Sequence, residues 1–189
     1  MSQPPELALG LVHWPCLNQH GEVVCTNVTN FDIHDIARSS RVFGVSRYFI
    51  INKAQEQLMF VSRVLDHWMV GEGSDHNPQR KTAVRMVRLA ETLEDSLKEF
   101  KVKPLIIATS AQNRGEFPKI SFSELREKMW SDRSRPTYLL FGTGWGVTDD
   151  VIDQCDFVLD PIRGSSEDDF RHLSVRSAVA ICLDRLMGQ

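Results

Sequence analysis

The sequence predicts an α/β fold in which helices cover both faces of a mostly parallel sheet. Short apolar runs rich in branched and aromatic residues alternate with longer amphipathic stretches along the chain. Such alternation is typical of parallel sheets, because their strands are buried on both faces and form continuous apolar runs. With 189 residues the chain can bury one sizeable core, and we expect a single domain over residues 1–189.

Each element follows from a local pattern. Apolar runs predict strands at residues 7–12, 48–51, 105–108, 136–141 and 157–159, with an edge partner at 22–25. Helical spacing of apolar residues predicts a helix capped by Asn30 or Asp32 and ending at Gly44. Further helices are predicted at residues 54–70, 79–100, 121–130, 147–155 and 173–187. The helix at 121–130 begins with a capping box, Ser121 and Glu124, and residues 71–78 break the helical pattern.

Charge is modest overall, but arginine is concentrated locally. The net charge of −3 argues against a protein that is basic over its whole surface. Arginine outnumbers lysine about two to one, and its planar guanidinium suits bidentate contacts to phosphate better than a lysine ammonium does. We expect a local basic face from three groups: Arg38, Arg41 and Arg47; Arg80, Arg85 and Arg88; Arg133 and Arg135. The alternative is that these arginines serve solubility and helix pairing.

Targeting signals and paired cysteines are not seen in the sequence. No apolar run reaches the roughly 20 residues that cross a bilayer, and residues 1–10 lack a basic segment followed by a continuous apolar one. The four cysteines are scattered without a C-x-x-C pair. We therefore expect reduced thiols, no metal site, no membrane association and a cytoplasmic location.

Two loops in the last fifty residues indicate a small-molecule site. Apolar runs at residues 138–141 and 157–159 each lead into a loop, the first at 142–146 and the second at 160–166. Closely spaced glycines in the first loop let backbone N–H and C=O groups approach a flat ligand, since no Cβ intervenes. A side chain placed at Gly144 is expected to occupy ligand space.

Two other interpretations of the glycine loop stay open from the residues alone. A dinucleotide fingerprint needs its third glycine at position 147, which is valine, and residues 147–155 are shorter than the usual crossover between parallel strands. Asp160 nevertheless follows the next strand, where an acid that binds ribose would lie. The main alternative function is therefore a nucleotide- or dinucleotide-binding oxidoreductase or regulator on an ordinary doubly wound sheet. The glycines as plain turn residues are the other interpretation.

The closing segment carries a family resemblance. Asp160-Pro-Ile-Arg-Gly164, followed by Leu173-Ser-Val-Arg-Ser-Ala-Val-Ala-Ile181 and Leu186, resembles the end of the SPOUT class of RNA methyltransferases. The resemblance implies a C-terminal trefoil knot that holds S-adenosylmethionine, with tRNA or rRNA as the substrate. It assigns cofactor contacts to three segments: Thr109, Ser110 and Ala111; Gly142, Thr143, Gly144, Trp145 and Gly146; and Ile162 and Gly164 with Leu173, Ser174 and Ser177.

A second resemblance lies near the N-terminus. Residues 30–45 resemble the first motif of the SpoU-like branch of the same class, in which an arginine on a helix precedes a Phe-Gly turn. Arg38 matches that arginine, and Phe43 with Gly44 matches the turn. The Asn and Gly that the family has ahead of the arginine are replaced here by Asp32 and His34.

Methyl transfer requires the protein to hold donor and acceptor in line and to remove a proton from the acceptor. The candidates for proton handling are Arg38, His34 and Asp169, with Asp32 beside them. The expected RNA contacts are Arg41, His13, Arg80 and Arg163. Two alternatives stand beside these roles: Arg38 pairs with Asp35 or Asp32 and only steadies its helix, and His13 is a packing residue at a strand end.

The final helix has an unusually wide apolar face. Its stripe consists of Val175, Ala178, Val179, Cys182 and Leu186, with Ala180, Ile181 and Leu183 beside it. A half-buried helix needs less apolar surface, so the pattern indicates either deep burial in the core or a second burial surface in a dimer. The resemblance favours a homodimer. A third functional class, an RNA-binding module of this fold without catalysis, would bind the cofactor weakly or not at all.

Overall fold

Strands and helices alternate along most of the chain. The computed structural model describes residues 4–112 and 115–189, and of residues 75 and 76 the backbone alone. In chain order the elements are β1 (Leu7–Val12), β2 (Cys16–Leu17), β3 (Val23–Val24), α1 (Asn30–Val42), β4 (Arg47–Ile51), α2 (Gln55–Met69), α3 (Gly73–His76), α4 (Pro78–Val84), β5 (Val87–Ala90), α5 (Leu93–Leu97), β6 (Leu105–Thr109), β7 (Lys119–Ile120), α6 (Phe122–Ser131), β8 (Thr137–Gly142), α7 (Asp149–Ile152), β9 (Phe157–Leu159) and α8 (Val175–Met187).

The main sheet contains seven strands in the order β5-β4-β1-β8-β6-β9-β7, and every neighbouring pair is parallel. β1 is an inner strand, in which Leu9 is opposite both Tyr48 of β4 and Leu139 of β8. The short strands β2 and β3 form a separate antiparallel pair. The predicted α/β fold with a mostly parallel sheet is confirmed, whereas the trefoil knot stays a prediction.

Helices cover the two faces of the sheet unequally. On one face, the odd-numbered residues of β1 pack in a core with side chains from α1, α2, α4, α6 and α8. On the other face, Ala8 and Val12 pack with Phe49, Tyr138 and residues of the short helices α5 and α7. All of these core residues are almost fully buried. The five helices of the first face thus supply most of the helical surface around which a site can form.

Helix α8 is fixed to the core and to α1. Val179, Cys182, Leu183 and Leu186 are buried, so deep burial accounts for this part of the wide apolar stripe. At its start, Arg176 forms ion pairs with Asp32 at 3.4 Å and with Asp35 at 3.6 Å on α1. No helix in the described part of the chain is long and apolar enough to cross a membrane.

The predicted helix at residues 79–100 is wrong. The structure divides this stretch into α4, β5 and α5. Tyr48 is opposite Val87 in the register of β4 and β5, and the two buried residues of β5 are Val87 and Ala90. Pairing with β4 satisfies backbone N–H and C=O groups that a free edge would expose, which outweighs a weak helical pattern.

Two smaller predictions need correction. The expected edge partner at residues 22–25 forms β3, but β3 pairs with β2 and not with the main sheet. The N-cap of α1 is Thr29, neither Asn30 nor Asp32. Asp32 still contributes, because it closes the capping box from the third helical position. The capping box of Ser121 and Glu124 at α6 is confirmed.

Candidate active site

A cavity of about 520 Å³ lies at the carboxyl ends of β6, β8 and β9 and reaches the first turns of α8. Ligands in parallel α/β sheets bind at this edge, because loops there are free to vary while the strands hold their ends in place. Ten of the predicted cofactor residues line the cavity: Thr109, Ser110, Ala111, Gly142, Thr143, Gly144, Trp145, Gly146, Ile162 and Leu173. Gly164, Ser174 and Ser177 do not; Ser174 instead caps α8 by accepting from the Ser177 N–H.

Other lining residues were not predicted as cofactor contacts. They are Gln112, Phe141, Leu159, Asp160, Pro161, Arg171, His172, Val175, Ala178 and Cys182. Ala178 and Cys182 lie one turn apart on the apolar stripe of α8, and their small size leaves room that a leucine would fill. Asp160 stood out in the sequence as an acid at a strand end. Arg171 and His172 gave no pattern that could have identified them.

The glycine loop has a backbone that only glycine adopts readily. Gly144 and Gly146 have φ angles of +59° and +99°, and the Gly146 N–H donates to the Thr143 carbonyl at 3.0 Å to close a turn. A Cβ at Gly142 would lie 2.8 Å from the Val147 nitrogen. The loop therefore curls tightly at the end of β8 and presents its backbone to the cavity.

The expectation that a side chain at Gly144 enters ligand space is wrong. An added Cβ would lie 2.9 Å from the Leu17 carbonyl oxygen and 3.3 Å from Cγ2 of Thr26. It would therefore collide with the segment between β1 and α1. Any effect on a ligand would act through distortion of the loop.

That N-terminal segment supports the glycine loop through backbone hydrogen bonds. The Leu17 N–H donates to the Gly146 carbonyl at 2.8 Å, and the Trp145 N–H donates to the Leu17 carbonyl at 3.0 Å. Next to these bonds, Cys16 pairs with Val147 as an isolated antiparallel β-bridge. A loop that would otherwise be held only at its two ends is thus held along its length.

His13 belongs to this support and does not line the cavity. Its Nδ1 is 2.8 Å from Oγ1 of Thr26, which in turn contacts the hydroxyl of Thr143. The Thr143 hydroxyl donates to the Val12 carbonyl at 3.0 Å. Burial lowers the pKa of His13 to about 4, against a smaller opposing effect of Asp32. With a side chain 1% exposed, His13 is the packing residue of the alternative interpretation, and the predicted RNA contact is wrong.

The rim of the cavity is shaped by the segment before α8. Asp169 has a φ of +51°, which is uncommon for a residue other than glycine, and its N–H donates to the Ser166 carbonyl at 3.2 Å. Its carboxylate pairs with Arg171, which lines the cavity. Asp169 itself does not line the cavity; it reaches the rim only through its ion pair with Arg171. Its predicted role in proton transfer stays a prediction.

The other predicted site residues lie elsewhere. Arg38, Arg41 and Arg80 meet in a second hollow of about 530 Å³, here called the arginine groove, which is lined by Arg38, Arg41, Val42, Asn77, Gln79, Arg80, Thr82 and Ala83. Arg163 is exposed and lines neither hollow. The alternative in which Arg38 pairs with Asp35 or Asp32 is wrong, because Arg176 pairs with both carboxylates.

His34 is enclosed behind the groove. Its ring meets Trp68 edge-on with centroids 5.4 Å apart, and it lines neither hollow. Burial lowers the pKa of His34, the nearby Arg80 and Arg38 lower it further, and Asp35 opposes them. Since His34 lines neither hollow, its predicted catalytic role stays a prediction.

Comparison with known proteins agrees with the geometry. A family model for SAM-dependent RNA methyltransferases matches residues 6–188. A tRNA (guanine-N(1)-)-methyltransferase of Oleidesulfovibrio alaskensis is 40% identical over 186 residues, which is 96% of this chain and 42% of that protein. The chain thus spans less than half the length of this relative. A protein of Aquifex aeolicus without an assigned function is 37% identical and is covered over 88% of its length.

A solved structure shows the same fold at low identity. The SpoU methyltransferase AviRb of Streptomyces viridochromogenes, in complex with AdoMet, superimposes with a TM-score of 0.55 at 13% identity, over 99% of this chain and 58% of that one. The cavity lies where the resemblance to the SPOUT class expected a cofactor, and the family match covers every residue that lines it. The chain belongs to the family of S-adenosylmethionine-dependent RNA methyltransferases.

Proposed function

We propose that this chain binds S-adenosylmethionine in the cavity at the carboxyl ends of β6, β8 and β9 and transfers its methyl group to a nucleotide of tRNA or rRNA. The observation that carries the proposal is the convergence of three separate loops on one cavity, in which ten of the twenty lining residues are ones that the family resemblance assigned to the cofactor. The guanine-specific tRNA activity named for the Oleidesulfovibrio relative belongs to a longer protein. It supports tRNA as the first substrate to test.

The lining residues suit the chemistry of this cofactor. A cavity of about 520 Å³ is within the usual range for small-molecule sites. Leu159, Ile162 and Leu173 offer apolar walls for the adenine ring, and the curled glycine loop offers backbone groups to its polar edge. Asp160 can accept hydrogen bonds from ribose hydroxyls or an ammonium group, and Arg171 can pair with a carboxylate.

The reaction asks little covalent chemistry of the protein. When bound, the sulfonium of the cofactor supplies an electrophilic methyl group. The residues of the chain must hold the acceptor in line and take up the proton that the acceptor loses. We propose Asp169 for proton handling, since its carboxylate lies beside Arg171 at the rim. Arg38 is on α1 in the arginine groove, so a direct part in catalysis would require a second copy of the chain to present it.

We further propose that the chain acts as one methyltransferase domain, as a homodimer, and in the cytoplasm. Both cores flank the same sheet, which supports a single domain. Phe31, 67% exposed on α1, offers apolar surface to a second copy. The four cysteines are free, which suits a reducing compartment.

Calorimetry of the purified protein tests the cofactor assignment. We expect S-adenosylmethionine and S-adenosylhomocysteine to bind, and NAD and ATP not to. Ala178→Phe places a phenyl ring in the wall of the cavity without breaking α8. It should weaken binding at least about 100-fold, which corresponds to ~2.7 kcal/mol. Transfer of a labelled methyl group to bulk tRNA or rRNA then tests the reaction.

Ala180→Phe is the matched control. Ala180 is two residues further along α8, so its side chain leaves the helix in a different direction, and it is not among the lining residues. The control should keep its cofactor affinity. A folded wild-type protein that binds neither methyl donor nor product would refute the proposal and leave an RNA-binding module without catalysis.

A further inference from the structure

We infer that the arginine groove is a second binding site, which holds the phosphodiester backbone of the RNA at a distance from the methyl-donor cavity. The inference rests on the proposed function for the identity of the ligand as RNA. Its evidence is independent of the cavity, because no residue lines both hollows.

The lining of the groove is cationic and polar. Three of its eight lining residues are arginines, and Asn77, Gln79 and Thr82 add groups that can donate hydrogen bonds. None of the described lining residues is acidic. The groove and the cavity have nearly the same volume, about 530 and 520 Å³, but apart from Val42 and Ala83 the groove is lined by polar and charged residues. Such a lining favours an anion with several acceptor oxygens.

The positive charge of the groove is not neutralised by the described part of the chain. Arg38 and Arg41 are exposed and form no ion pair with the described residues. The nearest candidates on α1, Asp32 and Asp35, pair with Arg176 of α8. In a protein with a net charge of −3, three arginines grouped in one groove, with no ion pair among the described side chains, indicate an external anionic partner.

The side chain of Arg80 is oriented by stacking on Trp68. Its guanidinium lies 4.2 Å from the ring centroid of Trp68, and its buried Nε has no hydrogen-bond partner among the described residues. Trp68 is fixed in turn by the edge-on ring of His34 and by close approach of Gly73, where a Cβ would lie 2.8 Å from Cε3 of Trp68. Stacking orients the planar fork that binds a phosphate through two hydrogen bonds.

The groove is remote from the chemistry within one protomer. Helix α1 links the parallel neighbours β1 and β4, so it runs from the carboxyl edge of the sheet to the amino edge. Arg38 lies eight residues after the first residue of α1, which is about 12 Å along the axis at 1.5 Å per residue. Contacts there would position a long RNA by its backbone, and binding energy from such remote contacts can support positioning at the reacting centre.

The test uses fluorescently labelled bulk bacterial tRNA, with its affinity measured by anisotropy over a series of salt concentrations. Arg41→Gln combined with Arg80→Gln should weaken binding at least about tenfold near 0.1 M salt. The slope of log affinity against log salt should fall by roughly 1.4 to 1.8, since each lost phosphate contact removes ~0.7–0.9. Calorimetric affinity for S-adenosylmethionine should not change.

The matched control is Arg63→Gln combined with Arg88→Gln, two exposed arginines outside the groove that give the same change in net charge. The inference predicts a clearly smaller loss for this pair, and a partial recovery for Arg41→Lys with Arg80→Lys, which keeps the charge but not the fork. Equal losses in the groove and control pairs would overturn it. A fall in molecular mass on light scattering of the groove variant would also overturn it, by showing an interface between copies. Absence of cofactor binding in the wild type would refute the proposed function without altering these comparisons.

Discussion

The cavity at the carboxyl ends of β6, β8 and β9 and the arginine groove have almost the same volume, about 520 and 530 Å³, but they are formed by different parts of the chain. Backbone loops at three strand ends form much of the cavity, including two glycines with positive φ. Helical side chains form the groove, and three of them are arginines. A site made from backbone depends on loop conformation, whereas a site made from charged side chains depends on where the helices place them.

The two sites are also supported differently. Residues 13–26 hold the glycine loop of the cavity from outside. The backbone of Leu17 bonds to the loop, and the Thr26 hydroxyl contacts the hydroxyl of Thr143. The groove is held by the packing of α1 against α4 and by Trp68 under Arg80. Changes that affect one support should therefore leave ligand binding at the other site intact.

The largest effect is expected for Gly144→Ala. Its φ of +59° and a Cβ contact of 2.9 Å with the Leu17 carbonyl oppose any side chain. The left-handed conformation alone costs about 1–2 kcal/mol for a residue with a Cβ, and the backbone contact adds to it. We expect at least about a 100-fold loss of S-adenosylmethionine affinity by calorimetry, with tRNA affinity at the groove unchanged.

Gly21→Ala separates conformation from contact. Gly21 has a φ of +77°, but an added Cβ would meet no described atom within 4 Å. It should lose about 1 kcal/mol of folding stability and keep its cofactor affinity. If both variants bind the cofactor equally well, the contact between the glycine loop and residue Leu17 has no part in shaping the cavity.

The second expected effect is a dependence of folding stability on pH, which originates in His13 beside the glycine loop. The pKa of His13 is about 4 in the folded protein, against about 6.5 in an unfolded chain. Below pH 6.5 the unfolded state binds the proton first, so folding stability falls with falling pH until about pH 4. The loss amounts to about 3 kcal/mol, since one pKa unit corresponds to ~1.4 kcal/mol. Above pH 6.5 this penalty disappears.

Urea unfolding at a series of pH values tests this dependence. His13→Asn removes the titrating group, and the curve of unfolding free energy against pH should flatten by about 3 kcal/mol between pH 6.5 and pH 4. His20→Asn, at an exposed position on the turn before β3, is the matched control for the loss of one histidine and should give the wild-type curve. The three proteins are compared by how steeply their unfolding free energy changes with pH, because His34 contributes equally to this change in all three. Parallel curves for wild type and His13→Asn would contradict the assignment.

The smallest effect is expected at the groove. Trp68→Leu removes the ring on which the Arg80 guanidinium stacks without changing any charge. Stacking of this kind contributes about 0.5–1 kcal/mol at sites open to solvent, so tRNA affinity should fall roughly two- to fivefold, with cofactor affinity unchanged. Trp68→Phe keeps an aromatic face and should restore most of the loss. Equal tRNA affinities for the leucine and phenylalanine variants would show that Trp68 does not position Arg80.

Much of the sheet and of the cavity could be predicted from local sequence. The apolar runs at residues 7–12 and 157–159 match β1 and β9 residue for residue. Parallel strands place their carboxyl ends at one edge, so loops that follow such runs are expected to meet. The predicted segments at Thr109, Gly142 and Ile162 did meet there.

Other predictions failed because their outcome depended on distant residues. Residues 87–90 became β5 only because β4 offers an edge for pairing. His13 was expected beside the RNA but is enclosed by Thr26 and the glycine loop, which are far away in sequence. Arg176 was not singled out, although it pairs with both carboxylates that the sequence offered to Arg38.

The sequence by itself determined the fold class, the family resemblance and half of the cavity lining, because apolar periodicity, strand-end glycines and capping boxes act over a few residues. Only the tertiary structure decided which cations are neutralised and which side chains share a hollow. Helix packing brings α1 and α4 together around Arg38, Arg41 and Arg80, and α8 brings Arg176 to α1. Such contacts join residues up to 144 positions apart, and no local pattern encodes that distance.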